Sequence, residues 1–411
     1  MPSLRTFRVD FDRMGATYMA GETITGTIVV ENTKEKSVKG LYLSAKGEAR
    51  VRWVEKKTEH NRTRRDTYYN SQKYFKYRFN ILNSNNDSRV QIPVGYHKYS
   101  FQFQLPQNIP TSFEHMYGHI RYTVKVVIDR PWRFDHECKA AFTVVSMLDL
   151  NAHRHKCLGI DDEIKKNFYN CCCISAGTAN IRIRVPSTGY VPGQSIVTTL
   201  DYSNSSKIRI IRFSTHLLRE IKFHAITGKT KIECSEIATA NYRECTTNQG
   251  QDILEFRVPP IPPSSLEHCN IIDLNYKLRF VIHVSGPHFN LVRTYPLLIG
   301  SVPLLCSLTV AHINPATVPM PTQIGQPYTT NNEQSSTDLL PAPRQPLGFI
   351  IPGQAASSSN DWQIPPPSYE ECITGAEHIK DHDESDFVHG ANTPFAPRYP
   401  VFDYPTPRIE S

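Results

Sequence analysis

A chain of 411 residues is long enough for two domains and a tail. No run of it reaches the ~18 apolar residues of a membrane span. The formal net charge of +7 conceals an asymmetry. Residues 313–411 hold 4 Lys/Arg (Arg344, Lys380, Arg398, Arg408) and 12 Asp/Glu, a net of −8, so the other 312 carry 46 − 4 = 42 basic and 39 − 12 = 27 acidic side chains, a net of +15. A basic body with an acidic tail implies anionic partners for the body, or the tail itself.

The start, Met1-Pro2-Ser3-Leu4-Arg5, lacks the apolar core of a signal peptide, and Pro2 stands where myristoylation needs glycine. The expected compartment is the cytosol, with the 10 Cys reduced and the sequons at Asn61, Asn86 and Asn204 unused. Residues 5–150 read as strands. Ile24 to Val30 is β-rich and mostly alternating. Lys73 to Phe79 puts Phe75, Tyr77 and Phe79 on one face and Tyr74, Lys76 and Arg78 on the other. Tyr122 to Ile128 is a run of branched residues. Turn residues separate these segments and no long stretch has helical period, which predicts a β-sandwich.

A second set of strands repeats the first. Tyr18-Met19-Ala20-Gly21-Glu22-Thr23-Ile24 returns as Tyr190-Val191-Pro192-Gly193-Gln194-Ser195-Ile196, an offset of 193 − 21 = 172. The same offset carries Asn32 onto Asn204 and Val38 onto Ile210. Leu105 to His115 echoes Val258 to His268, and a Tyr-led strand follows each, at Tyr122 and Tyr276. The expectation is an all-β chain of two tandem sandwiches: a first domain over 5–150, a linker over 151–174 and a second domain over 175–312. Gly21 and Gly193 suit tight turns into a strand at positive φ.

From about residue 313 the composition shifts, and 16 of the 30 prolines fall in 313–411. Such a segment is expected to be disordered. It carries Pro366-Pro367-Ser368-Tyr369, a Pro-Pro-x-Tyr motif. Prolines preset the polyproline II conformation that WW domains take into an aromatic groove, and the tyrosine fixes register. A bare proline-rich spacer is the alternative for so short a motif. The degenerate copy Ala396-Pro397-Arg398-Tyr399 lacks the first proline and is expected to bind weakly at best. The acidic stretch Asp381 to Asp386 is expected to rest transiently on the basic body through screened, salt-labile ion pairs.

The chain resembles the α-arrestins, the arrestin domain-containing proteins. The residues that carry the resemblance are Tyr18 to Ile24, Leu105 to Pro110, Arg130-Pro131-Trp132, Gly189 to Gly193 and Pro296-Leu297-Leu298-Ile299-Gly300, followed by the Pro-Pro-x-Tyr tail. The resemblance implies two arrestin-like β-sandwiches. It also implies an adaptor that brings WW-containing HECT-type ubiquitin ligases to membrane receptors or transporters, recruited from the cytoplasm to plasma membrane and endosomes. The competing expectation is a trafficking scaffold resembling retromer's arrestin-fold subunit, which acts without a ligase and tolerates loss of Tyr369.

Other constellations are read more plainly. His153-Arg154-His155-Lys156-Cys157 precedes Cys171-Cys172-Cys173. Adjacent cysteines are poor zinc ligands and the Cys-x-x-Cys hook is missing, so no metal or other cofactor is expected. Lipidation of Cys171, Cys172 and Cys173 stays open beside the favoured reading of reduced, partly buried thiols. In Arg50 to Arg78 the aromatics are expected to point inward and the basic residues to solvent. Contact with anionic lipid or a phosphorylated tail comes second, and nucleic acid is not expected. The fingerprint motifs of hydrolases, nucleotide-binding enzymes and zinc proteases are absent. Glu114-His115 and Glu267-His268 recur at matching points and are expected to be scaffold. The chain is read as a non-enzyme.

Overall fold

The computed structural model describes residues 3–59, 62–83, 89–169, 175–240, 245, 247–305, 367–381, 384–385 and 387–403. The first eleven strands are β1 (Leu4–Phe11), β2 (Thr17–Met19), β3 (Thr23–Asn32), β4 (Lys36–Val38), β5 (Gly40–Glu59), β6 (Arg62–Asn83), β7 (Val90–Ile92), β8 (Gly95–Gln104), β9 (Phe113–His115), β10 (Gly118–Asp129) and β11 (His136–Val145). Nine of them form two facing sheets, β1-β3-β8 and β2-β11-β10-β5-β6, with β9 added to β10, while β4 and β7 pair with each other. Alternation sends Ile24, Ile28 and Val30 of β3 and Phe101 and Phe103 of β8 into the interior. There they meet Tyr122, Val124 and Phe142 from the opposite sheet.

The second sandwich comprises β12 (Ile160–Tyr169), β13 (Ser175–Val185), β14 (Gly189–Tyr190), β15 (Ser195–Asn204), β16 (Ile210–His224), β17 (Thr230–Thr239), β18 (Gln249–Arg257), β19 (Ile272–Val284) and β20 (Leu291–Ile299). Its sheets run β12-β13-β15-β18 and β14-β20-β19-β16-β17. The two domains share a strand order, β1-β3-β8 matching β13-β15-β18 and β2-β11-β10-β5-β6 matching β14-β20-β19-β16-β17. Even the unusual parallel pair recurs, β2 on β11 and β14 on β20.

The repeated residues do the same work twice. Gly21 and Gly193 take φ values of 85° and 91°. Asn32 and Asn204 are buried strand ends. The Tyr122 hydroxyl donates to the Pro110 carbonyl at 2.6 Å, and the Tyr276 hydroxyl donates to the Pro262 carbonyl at 2.9 Å. A proline carbonyl with no ladder partner is satisfied from within the core in each case.

Three expectations need correction. Residues 151–174 are not all connector: β12 pairs with β13 from Ile160↔Val185 to Tyr169↔Ser175 and buries Ile164 and Phe168. Tyr74 does not lie on the face opposite Phe75. The register of β5 on β6 slips between Gly47↔Phe75 and Glu48↔Lys73, so Tyr74 is the extra residue of a bulge. Both Tyr74 and Phe75 therefore turn to Tyr122, with ring centroids at 6.3 and 6.0 Å. Finally, residues 367–381, 384–385 and 387–403 of the tail include β21 (Ser368–Glu371), β22 (Val388–His389) and β23 (Arg398–Val401), packed on the body. Ile379, Val388, Tyr399, Val401 and Phe402 bury enough apolar surface to order a segment whose composition alone predicts disorder.

Candidate functional site: the returning tail segment

The two tyrosine motifs lie side by side. β21 and β23 pair antiparallel, Ser368↔Val401, Tyr369↔Pro400, Glu370↔Tyr399 and Glu371↔Arg398. An Arg398–Glu371 ion pair at 2.6 Å and a bond from the Cys372 N–H to the Pro397 carbonyl at 2.8 Å extend the match. Ser368, Glu370 and Glu371 are exposed and Tyr369 is half-buried. Burial raises the Tyr369 phenol above its ordinary pKa; Glu22 adds to the rise and Arg13 opposes it. Pro367, Ser368 and Tyr369 are thus placed, while Pro366 lies outside the described residues.

The degenerate copy is the better buried of the two. Tyr399 is 1% exposed, and its hydroxyl donates to the Ser112 carbonyl at 2.8 Å. Pro397 is buried as well. The Arg398 N–H donates to Thr143 Oγ1 at 3.1 Å, and the Cδ and guanidinium nitrogens of Arg398 lie over Gly15. One residue beyond β23, the Phe402 N–H donates to the Pro192 carbonyl of the second sandwich at 3.0 Å. Its ring joins Leu150, Cys157, Val191 and Leu304 in a small second core. Gly193 makes this approach possible: a Cβ there would stand 2.1 Å from the Phe402 carbonyl oxygen. The segment therefore ties the two domains together.

Between the two tyrosines the chain crosses the outer face of the large first-domain sheet. Residues 46, 48, 50, 119, 121, 125 and 139 share that face by strand alternation and register. Lys139 Nζ contacts Asp381 and Glu384, each at 2.9 Å, with its side chain 2% exposed. Arg50 and Lys46 reach Asp381 at 3.4 and 3.6 Å, and Lys125 reaches Glu384 at 3.4 Å. Burial pushes the Asp381 carboxyl up, but Lys139, Lys46 and Arg50 outweigh it and hold the group down at about 2. β22 adds parallel to β11, Glu137↔Val388 and Cys138↔His389. The expected meeting of acidic tail and basic body thus exists at Asp381 and Glu384, and it is half-buried rather than an exposed, screened contact. The basic residues of the Arg50–Arg78 stretch divide accordingly. Arg50 is covered by the tail, whereas Lys76 and Arg78 face solvent.

The remaining candidates fall elsewhere. Cys171, Cys172 and Cys173 lie outside the described residues. Arg154–Lys156 form a short 3-10 turn, and Cys157 is buried under Gly189. Among the described residues no His/Cys/Asp/Glu cluster is arranged to hold a metal, and no helix is long and apolar enough to cross a membrane. Glu114 receives a two-pronged ion pair from Arg121 at 2.7 and 2.8 Å; burial raises its carboxyl and Arg121 opposes the rise. His115 stacks on Phe223 of the second domain with centroids 5.2 Å apart. Burial lowers its pKa, and Arg219 adds to that while Glu233, 3.3 Å away, opposes it. His268 lies in a strained turn at φ 71°. Glu114-His115 is therefore a domain-contact element, and at its echo the His268 carbonyl accepts from Gln72 Nε2 of the first domain at 3.0 Å.

Sequence reading missed Ser112, Thr143, Lys139 and Phe402. The one available signal was the charge asymmetry together with basic residues at alternate positions of three neighbouring strands. Comparison with known proteins follows the same division of the chain. The family model described as "Arrestin (or S-antigen), N-terminal domain" matches residues 7–151, and "Arrestin (or S-antigen), C-terminal domain" matches residues 175–304. The chain is 29% identical to "Arrestin domain-containing protein 17" of Caenorhabditis elegans over 324 residues, 75% of this chain and 74% of that protein. It is 25% identical to human "Thioredoxin-interacting protein" over 396 residues, 90% and 97% of the two chains. To the mouse protein of that name it is 26% identical over 318 residues, 74% and 76%.

Proposed function

The chain belongs to the arrestin family, in its α-arrestin branch, and from that premise we propose that it is a non-catalytic adaptor joining membrane-protein cargo to WW-containing HECT-type ubiquitin ligases. The family supports a trafficking adaptor in general. The ligase arm rests on one observation: Ser368-Tyr369, directly after Pro367, open an outer strand whose Ser368, Glu370 and Glu371 are exposed. Pro366 and Pro367 stack in the WW groove and Tyr369 anchors the register. A single contact of this kind gives an affinity near micromolar, about −8 kcal/mol. The two sandwiches hold cargo, and the effect of the protein is proximity. Its place is the cytoplasm, with recruitment to plasma membrane and endosomes and peripheral contact with anionic lipid.

Tyr369→Ala tests this reading. Ligase co-precipitation and cargo ubiquitination in cells should both be lost while the body stays folded; full activity in both assays sinks it. The half-burial of Tyr369 favours a second reading, a trafficking scaffold whose tail stays docked and which needs no ligase. That scaffold would pass the Tyr369→Ala test unchanged.

A further inference from the structure

We propose that residues 367–403 are a latch that withholds the Pro-Pro-x-Tyr motif, and that Tyr399 is the part that holds it shut. The proposal rests on the WW-ligand reading of Tyr369. A WW groove takes its ligand as a single extended strand, with the prolines against aromatic rings and the tyrosine in a second pocket. In β21 neither requirement is met. The backbone of Ser368–Glu371 is paired to Val401–Arg398, and the Tyr369 ring is half-buried beside Arg13 and Glu22. The same residues cannot serve β23 and a WW domain at once, so docking and ligase binding exclude each other.

The pairing depends on β23, and β23 depends on its anchors in both domains. Tyr399 is held by Ser112, Phe402 by Pro192, and the crossing segment by Lys139. The second, degenerate motif therefore acquires a different role from the first: its tyrosine is spent inside the protein and is unavailable as a ligand. This reverses the sign of its contribution. A weak second ligand would lower ligase binding when removed, whereas removal of an anchor raises it.

The socket also holds a buried cation. Arg219 of β16, close enough to act electrostatically on the Tyr399 and Tyr276 phenols, is 5% exposed. Its Nε and Nη1 have no hydrogen-bond partner among the described residues. A buried cation with unsatisfied donors carries a desolvation cost. When only a fraction of molecules is open, apparent affinity falls by that fraction, so an open population of ~1–10% weakens binding about 10- to 100-fold.

The test is titration of a purified Pro-Pro-x-Tyr-binding WW domain into the full chain, with a synthetic peptide of residues 362–373 as the unlatched reference. The peptide should bind at least about tenfold more tightly than the wild-type chain. Tyr399→Ala should bring the chain close to the peptide, and Tyr369→Ala should abolish binding. Asp381→Asn with Glu384→Gln loosens the latch without emptying a buried site, and carries the same expectation if Tyr399→Ala does not fold. Equal affinities for peptide, wild type and both latch variants would overturn the latch and leave the adaptor reading intact. A peptide that does not bind would overturn the adaptor reading. In that case amide hydrogen exchange at Tyr369–Glu371 decides the latch: protection in the wild type and its loss in Tyr399→Ala support it, and absence of protection in the wild type overturns it.

Discussion

Lys139 and Asp381 stand 2.9 Å apart across 242 residues of sequence, with the lysine side chain 2% exposed. Ion pairs on open surface fade within a Debye length, about 3 Å at 1 M salt, whereas covered pairs are screened far less. The distance between a fluorophore on the tail near residue 390 and one on the first domain is therefore expected to change little up to about 1 M salt. Asp381→Asn, which keeps the shape and removes the charge, is expected to weaken docking by about 1–3 kcal/mol and to lengthen that distance. A wild-type distance that grows steadily with salt would return the contact to the exposed class.

The docked tail should resist mild acid. Asp381 is held at about 2, below its ordinary value, by Lys139, Lys46 and Arg50 acting against burial. The undocked carboxylate binds a proton more readily than the docked one. Its contribution is thus complete above about pH 4 and is lost as pH falls towards about 2. His136 behaves differently. Burial first, then Arg130, Lys36 and His389, bring it down to about 4. The unfolded chain binds that proton first, so stability falls from about pH 6.5 down to about pH 4. Denaturant midpoints should drop between pH 7 and 5, while the tail-to-body distance holds constant. Loss of the tail contact already at pH 5.5 would contradict the assignment.

Tyr122 and Tyr276 make matched hydrogen bonds to Pro110 and Pro262 in the two domains. Phenylalanine at either position keeps the ring and strands a buried carbonyl. Each substitution should destabilise its own domain by about 1–3 kcal/mol, and chemical denaturation should show the two effects to be similar. A cost confined to one domain would show that the repeat is geometric only.

Gly21 and Gly193 offer a sharper contrast. Both sit at positive φ, so alanine at either adds strain of about 1–2 kcal/mol. At Gly21 the new Cβ meets Gln107 Cγ at 3.1 Å, the bendable part of a surface side chain. At Gly193 it meets the Phe402 carbonyl oxygen at 2.1 Å and Phe402 N at 2.9 Å. Gly193→Ala should therefore expel Phe402 and open the tail, read as exposure of residues 398–402 to limited proteolysis. Gly21→Ala should leave that region protected, and equal proteolysis of the two variants would refute the distinction.

Much of the architecture was legible because its causes are local. Alternation in β3, the branched run in β10, the positive-φ glycines and the Ile-Pro strand ends each act within a few residues. The offset of 172 then exposes the duplication without any knowledge of contacts. The bulge at Tyr74 was not legible, since which residue is extra depends on what β5 places opposite it. The strand at Ile160–Tyr169 was passed over for a related reason: its exposed Lys165, Lys166 and Asn167 give it the composition of a connector, and its pairing with β13 supplies the order.

The tail shows most clearly where sequence stops. By itself the sequence determined that the chain carries two β-sandwiches of one kind, a Pro-Pro-x-Tyr motif, a copy of it that lacks the first proline, and opposite charge on body and tail. Tertiary structure alone decided that the two motifs pair with each other, that Tyr399 enters the body while Tyr369 stays near its surface, and that Lys139 receives Asp381. The reason is physical. Composition sets what a segment can bury by itself, and residues 367–403 can bury little. A preformed sheet face and a socket between two domains supply the missing partners, and those surfaces exist only once strands far apart in the chain have come together.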